Sequence, residues 1–272
     1  MINAIIWDVS PVAISVGPFA VRWYGMLFAL GIVLCYYIFQ YIFKAEKLPP
    51  LLLDKYAVWA VLSTVIGARL GHVLFYEPAY YFQHPSEILM IWHGGLASHG
   101  ATIGLILYVF WFCYRHGIPY LWLFDRMAII VSIGSACIRL GNLMNSEIIG
   151  TPTNVPWAFI FTSEDMIPRH PSQLYEALVY LSLFIFLFWR YKKVKGEVKG
   201  GQFVGIMFLV IFVSRFLIEF IKSDQVDFEK GMLLNMGQWL SIPFILIGIA
   251  FIIVSFTHKS IPKVTALKRF PK

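Results

Sequence analysis

Seven stretches of mostly apolar residues constrain this chain more than any other feature. They run 19–43, 53–75, 96–114, 121–140, 172–190, 202–221 and 237–257. A helix rises about 1.5 Å per residue, so about 20 such residues cross the ~30 Å hydrocarbon core of a bilayer. Charged residues make up only 14% of the 272 residues, where a soluble domain carries about 25%. The expected fold is therefore an all-α polytopic membrane protein with about seven transmembrane helices. Residues 1–272 read as a single integral membrane domain, without an internal repeat or a separable soluble domain.

The formal net charge of +7 would suit nucleic acid. The positions of the charges argue against it, because they fall in loops between apolar runs; no nucleic acid partner is expected. One set of loops holds Lys44, Lys47, Lys55, Arg115, Arg190, Lys192, Lys193, Lys195 and Lys199, and the basic tail from Lys259 to Lys272. The opposite set holds only Arg22, Arg169, Lys222 and Lys230. The richer set belongs on the cytoplasmic side. That puts the amino terminus outside and the carboxyl terminus inside, in keeping with an odd number of spans. Residues 77–95, with Tyr80, Tyr81, Phe82 and Trp92, read as an interfacial segment. Residues 141–171, punctuated by Pro152, Pro156 and Pro168, form the longest external loop. Residues 1–18 lack a basic region ahead of an apolar core, so no cleavable signal peptide is expected.

Cys35, Cys113 and Cys137 sit far apart in apolar stretches and read as buried small hydrophobes. His93 and His99 are six apart, with no carboxylate at ligand spacing. Neither a metal site nor a cofactor is expected.

Oriented this way, the spans carry their polar residues to one side. Tyr24 lies at the outer end of the first span. Arg69 and His72 lie in the second, and His99 opens the third. Arg139 ends the fourth, followed by Asn142, Asn145 and Glu147. Gln173, Tyr175 and Glu176 open the fifth, and Arg215 and Glu219 lie in the outer part of the sixth. Each has a plainer reading. Arg139 alone could snorkel to the interface. Arg215 and Glu219 are i,i+4 and could neutralise one another. Trp23 and Tyr24 suit an aromatic belt, and Glu176 suits a helix amino terminus. Gly94, Gly95, Gly100 and Gly104 suit close helix packing. Asp125 and Arg126, at the inner end of the fourth span, read as an interface pair. These readings leave the depth and the clustering unexplained, because a charge at membrane depth costs about 2.5–3.5 kcal/mol even on insertion scales. Six helices supplying polar groups to one side indicate a polar cavity open toward the outer leaflet.

Arginines in such a cavity offer fixed charge and forked donors suited to a phosphate, here a phospholipid headgroup. A histidine offers a base near neutral pH. Together they suit displacement of a phosphate leaving group by a deprotonated nucleophile. A transporter or flippase for a phosphate-bearing lipid or solute would need similar arginines. It would also need polar residues reaching both faces. A structural scaffold leaves the buried arginines unexplained.

Four strings carry a family likeness. They are Val21-Arg22-Trp23-Tyr24-Gly25, the run from His93 through Gly94, Gly95 and His99 to Gly100, the run from Arg139 through Asn142, Asn145 and Glu147 to Gly150, and His170-Pro171-Ser172-Gln173-Leu174-Tyr175-Glu176. With Arg215, Glu219 and Met236-Gly237-Gln238-Trp239, they resemble the bacterial prolipoprotein diacylglyceryl transferase family in order along nearly the whole chain. The resemblance implies transfer of a diacylglyceryl group from phosphatidylglycerol to the lipobox cysteine thiol of a prolipoprotein signal peptide. The by-product would be glycerol 1-phosphate, and the setting the outer face of the bacterial inner membrane among membrane lipids. It further implies that Arg139 binds the headgroup, with Asn142, Asn145, Glu147 and Gly150 around it. His99 would act as or orient the base, Arg215 would stabilise the leaving group, and Tyr24 would position the headgroup. Glu176, Glu219 and Gln173 would support them. The sequence departs from the family pattern at Ile138 (usually Gly), Leu143 (often Phe), Ser146 (often Gly), Ala101 (often Gly) and Lys222 (typically Arg).

Overall fold

The computed structural model describes residues 4–17, 19–91, 94–223 and 232–257. Within them lie eight helices: α1 (Trp23–Ala45), α2 (Pro50–Phe75), α3 (Pro78–Gln83), α4 (Ser98–His116), α5 (Tyr120–Met144), α6 (Ser172–Lys193), α7 (Gln202–Ile218) and α8 (Met236–Thr257). Six segments are long and apolar enough to cross a membrane: α1, α2, α5, α6, α8, and α7 together with the 3-10 turn Glu219–Ile221 that extends it. The protein is thus a mostly helical, multi-pass membrane protein. The 19-residue α4, with Ser98, His99, Arg115 and His116 at its ends, falls outside that set.

The chain is not purely helical. Strands β1 (Ile5–Trp7), β4 (Phe159–Phe161) and β5 (Pro168–Arg169) form one sheet, with β1 parallel to β4 and β4 antiparallel to β5. Strands β2 (Val12–Val16) and β3 (Phe19–Arg22) form an antiparallel pair. The first apolar run therefore becomes helical only at Trp23, because Phe19–Arg22 is committed to the ladder with β2. The larger sheet packs Phe159 and Phe161 against Leu143, Trp7, Ile149 and Leu174. Trp7 Nε1 donates to the Leu143 carbonyl at 3.2 Å, tying the amino-terminal strand to the end of α5.

The fold divides into two compact units. One comprises residues up to Phe39 together with those from Phe124 to the end of α8. The other is Gln40–Leu123.

In the second unit, α2 and α4 pack backbone to backbone. Gly67 and Gly71 on α2 face Gly100 and Gly104 on α4, each pair four residues apart. A Cβ on Gly71 would stand 2.7 Å from the Gly100 Cα, and one on Gly67 2.9 Å from the Gly104 Cα. Such small-xxx-small pairs let helices approach closely in a lipid setting, where dispersion replaces the hydrophobic drive. The Ala97 N–H donates to the Ala68 carbonyl at 2.9 Å. Gly117, at φ 65°, then ends α4 in the left-handed conformation, with Ile118 N–H returning to the Cys113 carbonyl at 3.0 Å.

In the first unit, α7 packs on α8, with Gly205 under Ile252 and Gly248 under Leu209. The amino terminus of α7 is capped from a distance. Asp125 of α5 accepts hydrogen bonds from the N–H groups of Gly201 (2.9 Å), Phe203 (2.9 Å) and Val204 (3.1 Å). A carboxylate there satisfies orphan donors and complements the helix dipole. Its neighbour Arg126 donates to the Gly196 carbonyl at 2.7 Å and lies over the Tyr191 ring. Both side chains are fully buried. This corrects the expectation of an interface pair: each neighbour turns to its own partner, and together they fix the turn between α6 and α7.

Candidate active site

The first unit holds a chain of charged and amide groups. Arg139 lies near the end of α5 and Glu176 on the second turn of α6. Glu219 and Lys222 follow the end of α7. Arg139 Nε stands 2.8 Å from Glu176 Oε2. Its N–H is not aimed at that oxygen, so the contact is an ion pair without a hydrogen bond. The other oxygen of Glu176 accepts from Lys222 Nζ at 3.0 Å, and Lys222 also donates to Glu219 Oε2 at 3.1 Å. Glu176 is 0% exposed, Lys222 6% and Glu219 8%. Arg139 keeps 17% of its side chain exposed.

Asn142, one turn on, links the arginine to a second carboxylate. Arg139 Nη1 lies 3.4 Å from Asn142 Oδ1, a long contact, and Asn142 Nδ2 donates to Glu147 Oε2 at 2.9 Å. Asn145 Nδ2 donates to the other Glu147 oxygen at 2.9 Å. Glu147 is itself clamped by its backbone, its carbonyl accepting from Gln173 Nε2 and its N–H donating to Asn142 O at 3.0 Å. Ser172 Oγ donates to the Ile148 carbonyl at 2.5 Å. The start of α6 thus holds residues 147–148 in place. That clamp matters because Ser146 and Ile148 adopt φ of 54° and 59°, a conformation unfavourable for side-chain-bearing residues, most of all a β-branched one.

Three more groups reach this set. Tyr24 lies within electrostatic reach of Glu147 and Arg139, and a Cβ on Gly141 would strike its ring at 2.9 Å. Tyr180, one turn beyond Glu176 and 3% exposed, lies within reach of Arg139 and Arg215. Arg215 has a buried Nε without a hydrogen-bond partner among the described residues. Glu219 turns to Lys222, and a Cβ on Gly237 would collide with its carboxylate, so the glycine opening α8 makes room for the charge. With Arg215, the cations Arg139 and Lys222 balance the anions Glu147, Glu176 and Glu219.

Gly150 is buried within the loop that follows α5. Its N–H donates to the His170 carbonyl at 2.9 Å, and its own carbonyl accepts from Arg169 at 3.2 Å and Ser223 at 3.0 Å. A Cβ there would meet His170 and the Ile221 carbonyl. Arg169 forks onto Asp165, which holds the Asp165 carboxyl below its usual range. His170 Nδ1 pairs with the Tyr175 hydroxyl at 3.1 Å, which also accepts from Trp157 Nε1 at 2.8 Å. Burial pushes the His170 pKa down.

In the second unit, Arg69 is a staple. It is 4% exposed and donates to the carbonyls of Ile88 (2.8 Å), Gly94 (2.8 Å), Gly95 (3.1 Å) and Glu87 (2.5 Å) beneath the Tyr81 ring. Gly95, at φ 70°, has no room for a Cβ against Arg69 and His72. The second glycine of the His-Gly-Gly string is thus required by packing. His99 is exposed on the first turn of α4 and has no hydrogen-bond partner among the described residues. His93 and Trp92 lie outside those residues.

A family model described as prolipoprotein diacylglyceryl transferase matches residues 11–254. The chain belongs to the prolipoprotein diacylglyceryl transferase family. A relative from Tolumonas auensis is 45% identical over 255 residues, covering 93% of this chain and 98% of the relative. One from Chloroherpeton thalassium is 44% identical, covering 95% and 97%. One from Bacteroides fragilis is 41% identical, covering 96% and 99%. All three are named phosphatidylglycerol–prolipoprotein diacylglyceryl transferase. Seen within this transferase family, two departures acquire a physical meaning. A glycine at position 146 would adopt its positive φ without strain, and serine does not. Position 222, read from the sequence only as an arginine replaced by lysine, is the joint between two buried carboxylates. Sequence reasoning did not assign it a site role, nor Tyr180. The signal for Lys222 was its spacing of three from Glu219 at the end of an apolar run.

Proposed function

We propose that this chain catalyses the first step of lipoprotein maturation, transferring the diacylglyceryl group of phosphatidylglycerol to the lipobox cysteine thiol of a prolipoprotein. Family membership across nearly the whole chain carries this reading. The sulfur attacks the diacylglyceryl carbon bonded to the phosphate oxygen. The C–S bond forms, the C–O bond breaks, and glycerol 1-phosphate departs with one more negative charge than the phosphate had in the lipid. The thiol proton must go to a base, and His99 acts as that base or orients it.

Arg139 binds the phosphate, and Asn142, Asn145 and Glu147 shape the headgroup pocket with Tyr24. The ion pair with Glu176 supports this role, because it holds the Arg139 side chain on one edge while part of it stays exposed. Arg215, with its unpartnered Nε, stabilises the charge that builds on the departing phosphate. An added cationic donor is worth most in a water-poor site, where the developing charge has few other partners. The cluster as a whole is balanced before lipid arrives, so it admits a phosphodiester without a large excess of positive charge to desolvate.

In this reading the chain lies in the bacterial inner membrane. The α4 helix completes seven spans, the amino terminus is outside, and the polar cavity opens toward the outer leaflet.

Mass spectrometry of the acceptor tests the function. Purified protein would be incubated with phosphatidylglycerol and a peptide bearing a lipobox cysteine. A diacylglyceryl mass increment is expected on the cysteine peptide and not on its Cys→Ser counterpart. A folded protein that adds nothing would overturn the assignment.

A further inference from the structure

At the end of α6 away from Glu176, two ridges of side chains run along the helix. Phe184, Phe188 and Lys192 form one, and Ile185, Trp189 and Lys193 the other, each at i,i+4 spacing. The six residues line a groove of about 490 Å³. The groove is shallow and open, bordered only by side chains of this one helix. Its floor is aromatic and aliphatic: Phe184 and Phe188 stack at 5.7 Å and 13°, while Ile185 and Trp189 are more than half exposed. Its mouth is cationic. The Lys192 ammonium lies 5.7 Å from the Phe188 ring and the Lys193 ammonium 5.0 Å from the Trp189 ring. Both lysines are thereby held at the end of the groove instead of extending freely.

We infer that this groove binds an anionic phospholipid, with an acyl chain along the Phe184/Trp189 ridges and the phosphate between Lys192 and Lys193. The site lies outside the polar cluster. Lys192 is 16 residues from Glu176, or ~24 Å along the helix. Charge complementarity selects the occupant. Residues 190–199 carry five basic side chains and one acid, Glu197, and a basic cluster at the end of a span attracts anionic headgroups. Neither lysine forms an ion pair among the described residues. The groove is apolar along its length and charged only at one end, which matches a lipid and not a soluble anion. Taking the basic loops as cytoplasmic, as in the proposed orientation, the lipid belongs to the inner leaflet.

The experiment is native mass spectrometry of the full-length protein in detergent, titrated with dioleoylphosphatidylserine or dioleoylphosphatidylcholine. It compares wild type, the double variant K192Q/K193Q, and Arg139→Gln to account for anionic lipid held at the polar cluster. Wild type and Arg139→Gln are expected to retain a phosphatidylserine adduct that K192Q/K193Q binds roughly tenfold or more weakly. Phosphatidylcholine binding should be the same in all three. Inorganic phosphate at millimolar concentration should not displace the lipid. Displacement by phosphate would assign the lysines to a soluble anion and overturn the lipid reading. Equal phosphatidylserine binding by wild type and K192Q/K193Q would overturn the site. Diacylglyceryl transfer by K192Q/K193Q in detergent with saturating phosphatidylglycerol should equal wild type. That assay reports on the enzymatic reading separately from the groove.

Discussion

Lys222 Nζ stands 3.0 Å from Glu176 Oε1, and both groups are nearly inaccessible to solvent. The same carboxylate faces Arg139 with its other oxygen. Glu176 is therefore shared between a lysine anchored by its second carboxylate, Glu219, and the partly exposed arginine.

Removing the lysine should be far worse than exchanging it. Lys222→Met leaves Glu176 and Glu219 buried without their common cation, a change that costs about 3–5 kcal/mol when a buried pair is broken. Thermal unfolding in detergent should show a large drop for Lys222→Met. Lys222→Arg should stay close to wild type in stability and keep transfer activity.

Arg139→Gln keeps a hydrogen-bonding side chain but removes the charge proposed to face the phosphate. Loss of one such donor costs roughly 10²–10³ in rate. The expected result is a fall of that order in kcat/KM for phosphatidylglycerol with the fold retained. Unchanged kcat/KM would remove Arg139 from the headgroup site.

The glycine contact between α2 and α4 leaves no room for side chains. Gly71→Val places its Cβ 2.7 Å from the Gly100 Cα, and backbone cannot yield as a flexible side chain can. Overpacking typically costs about 1–3 kcal/mol, and this site should lie at or beyond the upper end. Yield of folded protein in size-exclusion chromatography would read it out, with Gly25→Val as the comparison for a helical glycine that has open space around it and no positive φ.

Ser146 offers a stabilising change. Its φ of 54° is strained for serine and free for glycine. Relief of that strain is partly offset by the extra freedom of glycine in the unfolded chain, for a net gain of about 0.5 kcal/mol. Ser146→Gly should raise the unfolding midpoint slightly without lowering transfer.

His170 predicts a pH dependence of stability. Burial lowers its pKa from the ordinary 6.5, so the unfolded chain binds its proton more readily than the folded one. The stability tied to neutral His170 is complete above about pH 6.5 and is lost as pH falls from there through the folded-state pKa. The stability of wild type relative to His170→Gln should decline between pH 7 and pH 5.5. A difference that is flat across that interval would remove His170 as the source.

Length and hydropathy along the chain were enough to place the long helices, six of which meet the demand of a bilayer for about 20 apolar residues with internal backbone pairing. They also marked Arg139, Glu176, Arg215 and Glu219 as unusual, since charges in such runs are costly. The family was legible in four strings. What sequence could not supply was pairing across distance. Strand β1 meets β4 across 154 residues of chain, Ile5 against Phe159, and segments of three residues have no periodicity of their own. Glu219 looked like the partner of Arg215 by helical spacing, yet the chain leaves the α-helix at that point, and the carboxylate turns to Lys222. Asp125 looked interfacial by position, yet it caps a helix that begins 77 residues later. Arg69 looked like another charge for a cavity, yet four backbone carbonyls take up its donors. In each case the local pattern identified a group that needed a partner. Only tertiary structure decided which partner, because buried charges take whichever compensating group folding brings within about 3 Å.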